Sequence, residues 1–93
     1  MRKLSAAETE LVKLVAQNAL RFRQEAGLSQ EVASLRTGLG AAAIRRYETG
    51  RARIDSLALK RLGDAYGHTV DHFFMTDPPA APLPPWIFMV FFW

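Results

Sequence analysis

Apolar residues recur at helical spacing through the first part of the chain and predict one long helix. A capping box precedes them, in which the Ser5 side chain can accept the Glu8 N–H while the Glu8 side chain reaches back. Gly27 suits the left-handed conformation that ends many helices. We therefore predict a first helix over about residues 5–26. The recurring apolar positions are Leu11, Leu14, Val15, Ala19, Phe22 and Ala26.

Capping residues and glycines divide the next segment into two short helices. Ser29 is an N-cap residue, and a second helix is predicted over about residues 30–37. Gly38 can adopt a positive φ where the chain must turn sharply. Gly40 is a weaker cap for a third helix over about residues 41–49.

The remaining helical pattern predicts two further elements. Asp55 caps a fourth helix that continues to about Tyr66 and ends at Gly67. A last short helix begins at residue 69 or 70, ends at residue 74 and presses Phe73 onto the core. The fold class is therefore all-α with five helices. The predicted core comprises Leu11, Leu14, Val15, Phe22, Val32, Ile44, Leu59, Leu62 and Phe73.

The last part of the sequence changes abruptly in composition. All five prolines lie within residues 78–85, PPAAPLPP, which predicts a stiff, extended linker. The following apolar octet holds five of the ten aromatic residues and is far shorter than the roughly 20 residues of a membrane-spanning helix. It can cover its own domain, join a homodimer interface or insert into another protein, and we favour an intermolecular role. The octet comprises Trp86, Ile87, Phe88, Met89, Val90, Phe91, Phe92 and Trp93.

Positive charge is concentrated in the middle of the chain. The formal net charge is +3, but residues 21–61 hold nine Lys/Arg and four Asp/Glu, a local charge of +5. Residues 62–93 hold no Lys/Arg and three Asp. This distribution is typical of a phosphate-binding surface, although a solvated charged face would look the same by charge alone.

Other classes of site find little support in the sequence. Cysteine is absent, which excludes a disulfide framework and a thiolate metal site. His68 and His72 have Asp64 and Asp71 nearby but no convergent metal-ligand pattern, so we expect no metal and no cofactor. No nucleophile–base pair or phosphate loop is visible, and we expect no enzyme. The start of the chain lacks the apolar region of a secretory signal, which favours a cytoplasmic protein.

The segment SQEVASLRTGLGAAAIRRYETG, residues 29–50, has the plan of two short helices joined by a glycine turn. Together with RFRQEAGLSQE before it and LKRLGDAYGHTVDHFF after it, it resembles the lambda-repressor and Cro (XRE) family of helix-turn-helix proteins. The likeness covers about residues 17–76. It implies a helix-turn-helix domain with an N-terminal helical extension over residues 1–76 and a linker with an apolar tail over residues 77–93.

The resemblance implies a surface for double-stranded DNA. Gln30 and the N–H groups at the start of the second helix would face a phosphate, and residues 41–43 would face base edges. Arg51 and Arg53 suit backbone phosphates. Arg23 and Glu48 would form a partly buried bridge between the first and third helices. The implied DNA-binding residues are Gln30, Ala41, Ala42, Ala43, Arg45, Arg46, Arg51 and Arg53.

The chain departs from the family pattern at three places. The family usually has polar side chains at 41–43, whereas three alanines can touch a thymine methyl but form no hydrogen bond, so base readout would depend on Arg45, Arg46 and DNA shape. Val32 and Leu35 flank the usual apolar positions, so either the second helix is rotated or two apolar side chains are exposed. Gly63 replaces a usual alanine, at a cost of about 1 kcal/mol in helix propensity.

The sequence therefore predicts a DNA-binding transcription regulator that acts as a homodimer. The third helices of the two copies would lie about 34 Å apart on a pseudo-palindromic operator. The alternative is a protein-interaction module, such as an antitoxin or co-regulator, whose apolar octet docks on a partner protein.

Overall fold

The computed structural model describes residues 5–81, which contain four α-helices, one 3₁₀ helix and no strand. The all-α prediction is confirmed in this range, but the predicted fifth helix is a 3₁₀ helix, with bonds between residues three apart. Residues 82–93, including the whole apolar octet, lie outside the described part of the chain. The elements are α1 (Ala6–Glu25), α2 (Gln30–Thr37), α3 (Ala41–Glu48), α4 (Ser56–Tyr66) and the 3₁₀ helix (Val70–Phe74).

The helix ends are fixed by the local chemistry that the sequence indicates. Ser5, Ser29 and Asp55 each accept the N–H of the residue three positions later, at 3.2, 3.1 and 2.8 Å. Each of these bonds satisfies one of the N–H groups that a helix start leaves without a partner. Gly38 and Gly67 end α2 and α4 with φ of +75° and +81°, a conformation that side-chain-bearing residues rarely adopt.

The core lies where α1 crosses α3, α4 and the 3₁₀ helix. Leu11 and Val32, which were predicted to be core residues, are instead 45% and 38% exposed. On α2 the inward residue is Ala33, which is fully buried, because a small side chain suits the tight packing of α2 against α3 and α4. The buried hydrophobic cluster comprises Val15, Ala19, Phe22, Ala33, Ile44, Leu59, Leu62, Tyr66 and Phe73.

The chain beyond the 3₁₀ helix stays in contact with the helical core. Asn18, buried on α1, donates its side-chain amide to the carbonyls of Phe73 and Met75 at 2.8 and 2.9 Å. Pro78 is buried, and Ala81 lies at the end of α4, with its Cβ 3.3 Å from the place a Cβ on Gly67 would occupy. Within residues 5–81, no helix is both long enough and apolar enough to cross a membrane.

Candidate nucleic-acid interface

Side-chain hydrogen bonds hold the turn between α2 and α3. The Ser34 hydroxyl donates to the Leu39 carbonyl at 2.6 Å, and the Thr37 hydroxyl accepts the Leu39 N–H at 3.2 Å. The Ser34 hydroxyl thereby satisfies a carbonyl of the turn. The angle between α2 and α3 is therefore set by side chains as well as by the positive φ of Gly38.

One face of α3 is exposed and the opposite face anchors the helix. Ala42, Arg45 and Arg46 are exposed at a spacing of three and four residues, which places them on the same face. Ile44 is 1% exposed and belongs to the core. Ala41 and Ala43 are half-buried, so among residues 41–43 the methyl group of Ala42 is the most accessible.

The N-terminus of α3 carries no side-chain cap. Gly40 occupies the N-cap position and has no side chain to accept the first N–H groups of the helix. These N–H donors and the positive end of the helix dipole are available to an acceptor, and the small alanine side chains that follow do not cover them.

A bidentate ion pair fixes α3 to α1. The Nε and Nη2 of Arg23 donate to the two carboxylate oxygens of Glu48 at 2.6 and 2.9 Å, and Nη1 donates to the Leu28 carbonyl at 2.8 Å. The two side chains are 12% and 4% exposed. The hydrogen bonds to Glu48 raise the pKa of the Arg23 guanidinium above its ordinary value. Burial, with a further contribution from Glu48, raises the pKa of the nearby Tyr66 to about 12.

Gln30 joins this ion pair rather than standing alone at the start of α2. Its side-chain nitrogen donates to Glu48 at 3.1 Å and is thereby oriented by the protein. The sequence resemblance gave Gln30 a phosphate contact and did not predict this bond. Glu48 thus connects α1, α2 and α3 at one point, because its carboxylate accepts hydrogen bonds from both Arg23 and Gln30.

The basic residues of the described chain fall into two groups. Residues 5–81 hold ten Lys/Arg, and four of them pair with a carboxylate: Lys13, Arg21, Arg23 and Lys60. The other six are exposed and form no ion pair within that range; we call them the unpaired arginines. They are Arg36, Arg45, Arg46, Arg51, Arg53 and Arg61.

Two of the unpaired arginines were not singled out from the sequence. Arg36 on α2 and Arg61 on α4 line one shallow depression beside Thr37. Both were counted in the basic segment, but only the packing of α2 against α4 brings them together. All six unpaired arginines lie between the start of α2 and the end of α4, the segment that we call the helix-turn-helix unit, so the free positive charge coincides with this unit.

The two histidines form a partly buried pair away from these arginines. His68 stacks on Phe22 with ring centroids 3.6 Å apart, and its Nδ1 lies 3.0 Å from the Nδ1 of His72. Burial, followed by the neighbouring His72, lowers the pKa of His68. Within residues 5–81, no group of three or more potential metal ligands converges around them or elsewhere.

Comparison with known proteins agrees with the geometry of α2, α3 and their turn. A family model described as a helix-turn-helix domain matches residues 20–73, more than half of the chain. The matched segment contains the end of α1 that carries Arg23, and all of α2, α3 and α4. No curated protein and no solved structure is a significant match to the chain. The family match and the turn geometry together show that this chain belongs to the helix-turn-helix domain family.

Proposed function

We propose that this protein is a sequence-specific, DNA-binding transcription regulator that places α3 in the major groove as a homodimer. The observation that carries the proposal is the location of the unpaired arginines on the helix-turn-helix unit, while the remaining basic side chains of residues 5–81 are paired. Free arginines on one unit give a polyanion a favourable approach, and the match to a helix-turn-helix domain supports DNA as that polyanion.

The residues on the exposed face of α3 have different roles in this proposal. Ala42 offers a methyl group, which suits contact with a thymine methyl, and Arg45 and Arg46 can donate to guanine from the same face. Arg51 and Arg53 follow α3 and suit phosphate contacts. Because the start of α3 has no polar side chains, the shape of the DNA contributes a larger share of the specificity.

DNA binding is expected to weaken steeply with salt. If each of the six unpaired arginines neutralises one phosphate, the slope of log affinity against log salt is about −5 for each protein chain. We would measure this by fluorescence anisotropy with a labelled duplex of random sequence. A flat response between low and moderate salt would contradict the proposal, and poor solubility relieved only by a co-expressed protein would favour the interaction-module alternative.

Arg45 is expected to carry base discrimination. Arg45→Ala should cost roughly 1–3 kcal/mol on a duplex selected from a randomised library and should relax one base position. Arg51→Ala should weaken selected and random duplexes equally, because a phosphate contact carries no sequence information.

Arg21→Ala is the matched control for these variants. Arg21 is also an exposed arginine, but it lies on α1 and pairs with Glu25 at 2.7 Å, so its loss should leave both affinities almost unchanged. Equal weakening of selected and random DNA by Arg45→Ala would assign the discrimination to DNA shape instead.

A further inference from the structure

An apolar pocket lies on the side of the domain formed by the first half of α1. Its volume is about 160 Å³, close to the ~150 Å³ of a cavity that holds one benzene ring. Two of its large apolar residues are substantially exposed, Leu11 at 45% and Phe74 at 43%. The residues that line the pocket include Leu11, Val12, Arg53, Ile54, Leu59 and Phe74.

The sequence itself contains a segment whose side-chain chemistry suits this pocket. Residues 86–93 carry five aromatic side chains, and their only polar side-chain groups are the two indole N–H groups. A pocket that holds one aromatic ring matches a segment that offers several, and both surfaces lose unfavourable contact with water when they meet.

The position of Ala81 argues against insertion of the segment into the pocket of the same chain. The chain leaves the pocket at Phe74 and reaches the other end of α4, where Ala81 lies beside Gly67. Leu59 at the pocket and Gly67 are eight residues apart, or about 12 Å along the helix. Three of residues 82–85 are prolines, which favour an extended course, so a chain that continues in the direction from Phe74 to Ala81 moves away from its own pocket.

We propose that an aromatic side chain of residues 86–93 from a second copy of this chain occupies the pocket, and that two copies exchange these segments. A twofold exchange uses the same pocket and the same segment in both copies and therefore closes as a dimer. The inference rests on the homodimer of the proposed function and specifies the contact between its two copies. Its test needs no DNA, so its failure can be told apart from a failure of DNA binding.

Tryptophan fluorescence of the full-length chain tests the exchange directly. Trp86 and Trp93 are the only tryptophans, so the emission reports on the proposed segment alone. We expect blue-shifted emission and a dimeric mass at micromolar concentration, with a shift to the wavelength of exposed indole as dilution separates the copies. Leu11→Lys should raise the dissociation constant of the dimer by about tenfold or more, because it places a charge at the contact.

Leu35→Lys is the matched control, since Leu35 is 84% exposed and does not line the pocket. It should leave the emission and the mass unchanged. Phe74→Ala, at another wall of the pocket, provides a second variant if Leu11→Lys loses its helical circular dichroism. The proposal is overturned if the emission is blue-shifted, does not change on dilution and comes from a protein of monomeric mass. The segment would then lie against its own chain. Emission and mass unaffected by both pocket variants would also overturn it, because the segment would then contact another surface.

Discussion

Glu48→Ala is expected to lower the free energy of unfolding by about 3–5 kcal/mol, the range found when one partner of a buried ion pair is removed. The Glu48 side chain is 4% exposed and accepts hydrogen bonds from Arg23 and Gln30. Its removal leaves the Arg23 guanidinium, 12% exposed, with only the Leu28 carbonyl as a partner. The loss also removes the ion pair between α3 and α1, so we expect the candidate DNA-binding helix, still anchored by Ile44, to be held less firmly in its orientation.

Thermal and urea unfolding followed by circular dichroism would measure this effect. Glu25→Ala is the matched control, because Glu25 also pairs with an arginine, but its side chain is 44% exposed and such pairs contribute about 0–1 kcal/mol. Changing Arg23 and Glu48 together to apolar residues should recover much of the loss, since no charge then remains buried without a partner. An unchanged melting temperature in Glu48→Ala would show that the pair adds nothing to stability.

Gly63→Ala is expected to destabilise the protein although alanine favours helix more than glycine does. Propensity alone would give a gain of about 1 kcal/mol at this position of α4. A Cβ on Gly63, however, would overlap the backbone carbonyl oxygen of His68. The turn after α4 cannot move away freely, because the N–H groups of Gly67 and His68 both donate to the Gly63 carbonyl, at 2.8 and 2.9 Å. Overpacked sites lose about 1–3 kcal/mol, so after the propensity gain we expect a net loss of up to about 2 kcal/mol.

Gly40→Ala separates this steric effect from the general cost of changing a glycine. A Cβ on Gly40 would meet no atom within 4 Å, and the backbone there has an ordinary negative φ of −66°. Its stability should fall by about 0.5–1 kcal/mol, the preference of an N-cap position for glycine over alanine, with no steric contribution. Higher stability of Gly63→Ala in thermal unfolding would mean that the turn at His68 relaxes more easily than its hydrogen bonds suggest.

The helices could be predicted because their boundaries depend on residues that are close in sequence. Ser29 and Asp55 cap α2 and α4, and Gly38 makes the turn with a positive φ, as their chemistry indicates. Gly63 shows the limit of such reasoning. The sequence suggested a propensity cost, whereas the glycine is there because the carbonyl of a later residue approaches its Cα, and that approach depends on how the turn packs.

The burial of individual apolar residues was harder to predict than the helices that carry them. Periodicity placed Leu11 on the inward stripe of α1, but the burial on this helix is concentrated between Val15 and Phe22. On α2, Val32 was the predicted core residue, whereas the packing of the helices buries its smaller neighbour Ala33 instead. Of the two alternatives left by the sequence for α2, exposure of Val32 and Leu35 is the one observed.

The candidate site, too, could be predicted only in part from the sequence. The family resemblance implied the pairing of Arg23 with Glu48, and the two side chains lie together in the structure. The bond from Gln30 to Glu48 and the meeting of Arg36 with Arg61 depend on contacts between helices, which no local pattern encodes. The roles of the exposed arginines in DNA contact, and of residues 86–93 in association, remain the proposals that the experiments above address.

The bare surface at the start of α3 has a consequence for how such a protein can acquire new targets. Ala42 is exposed and makes no contribution to the core, which α3 joins through Ile44. A single substitution there can add a hydrogen-bonding side chain to the exposed face of α3 without removing any existing polar contact and at little cost to folding. In the proposed DNA-binding role, binding preference and structural integrity are thus separated on this helix, so that target choice can diversify between copies of the gene while the scaffold stays the same.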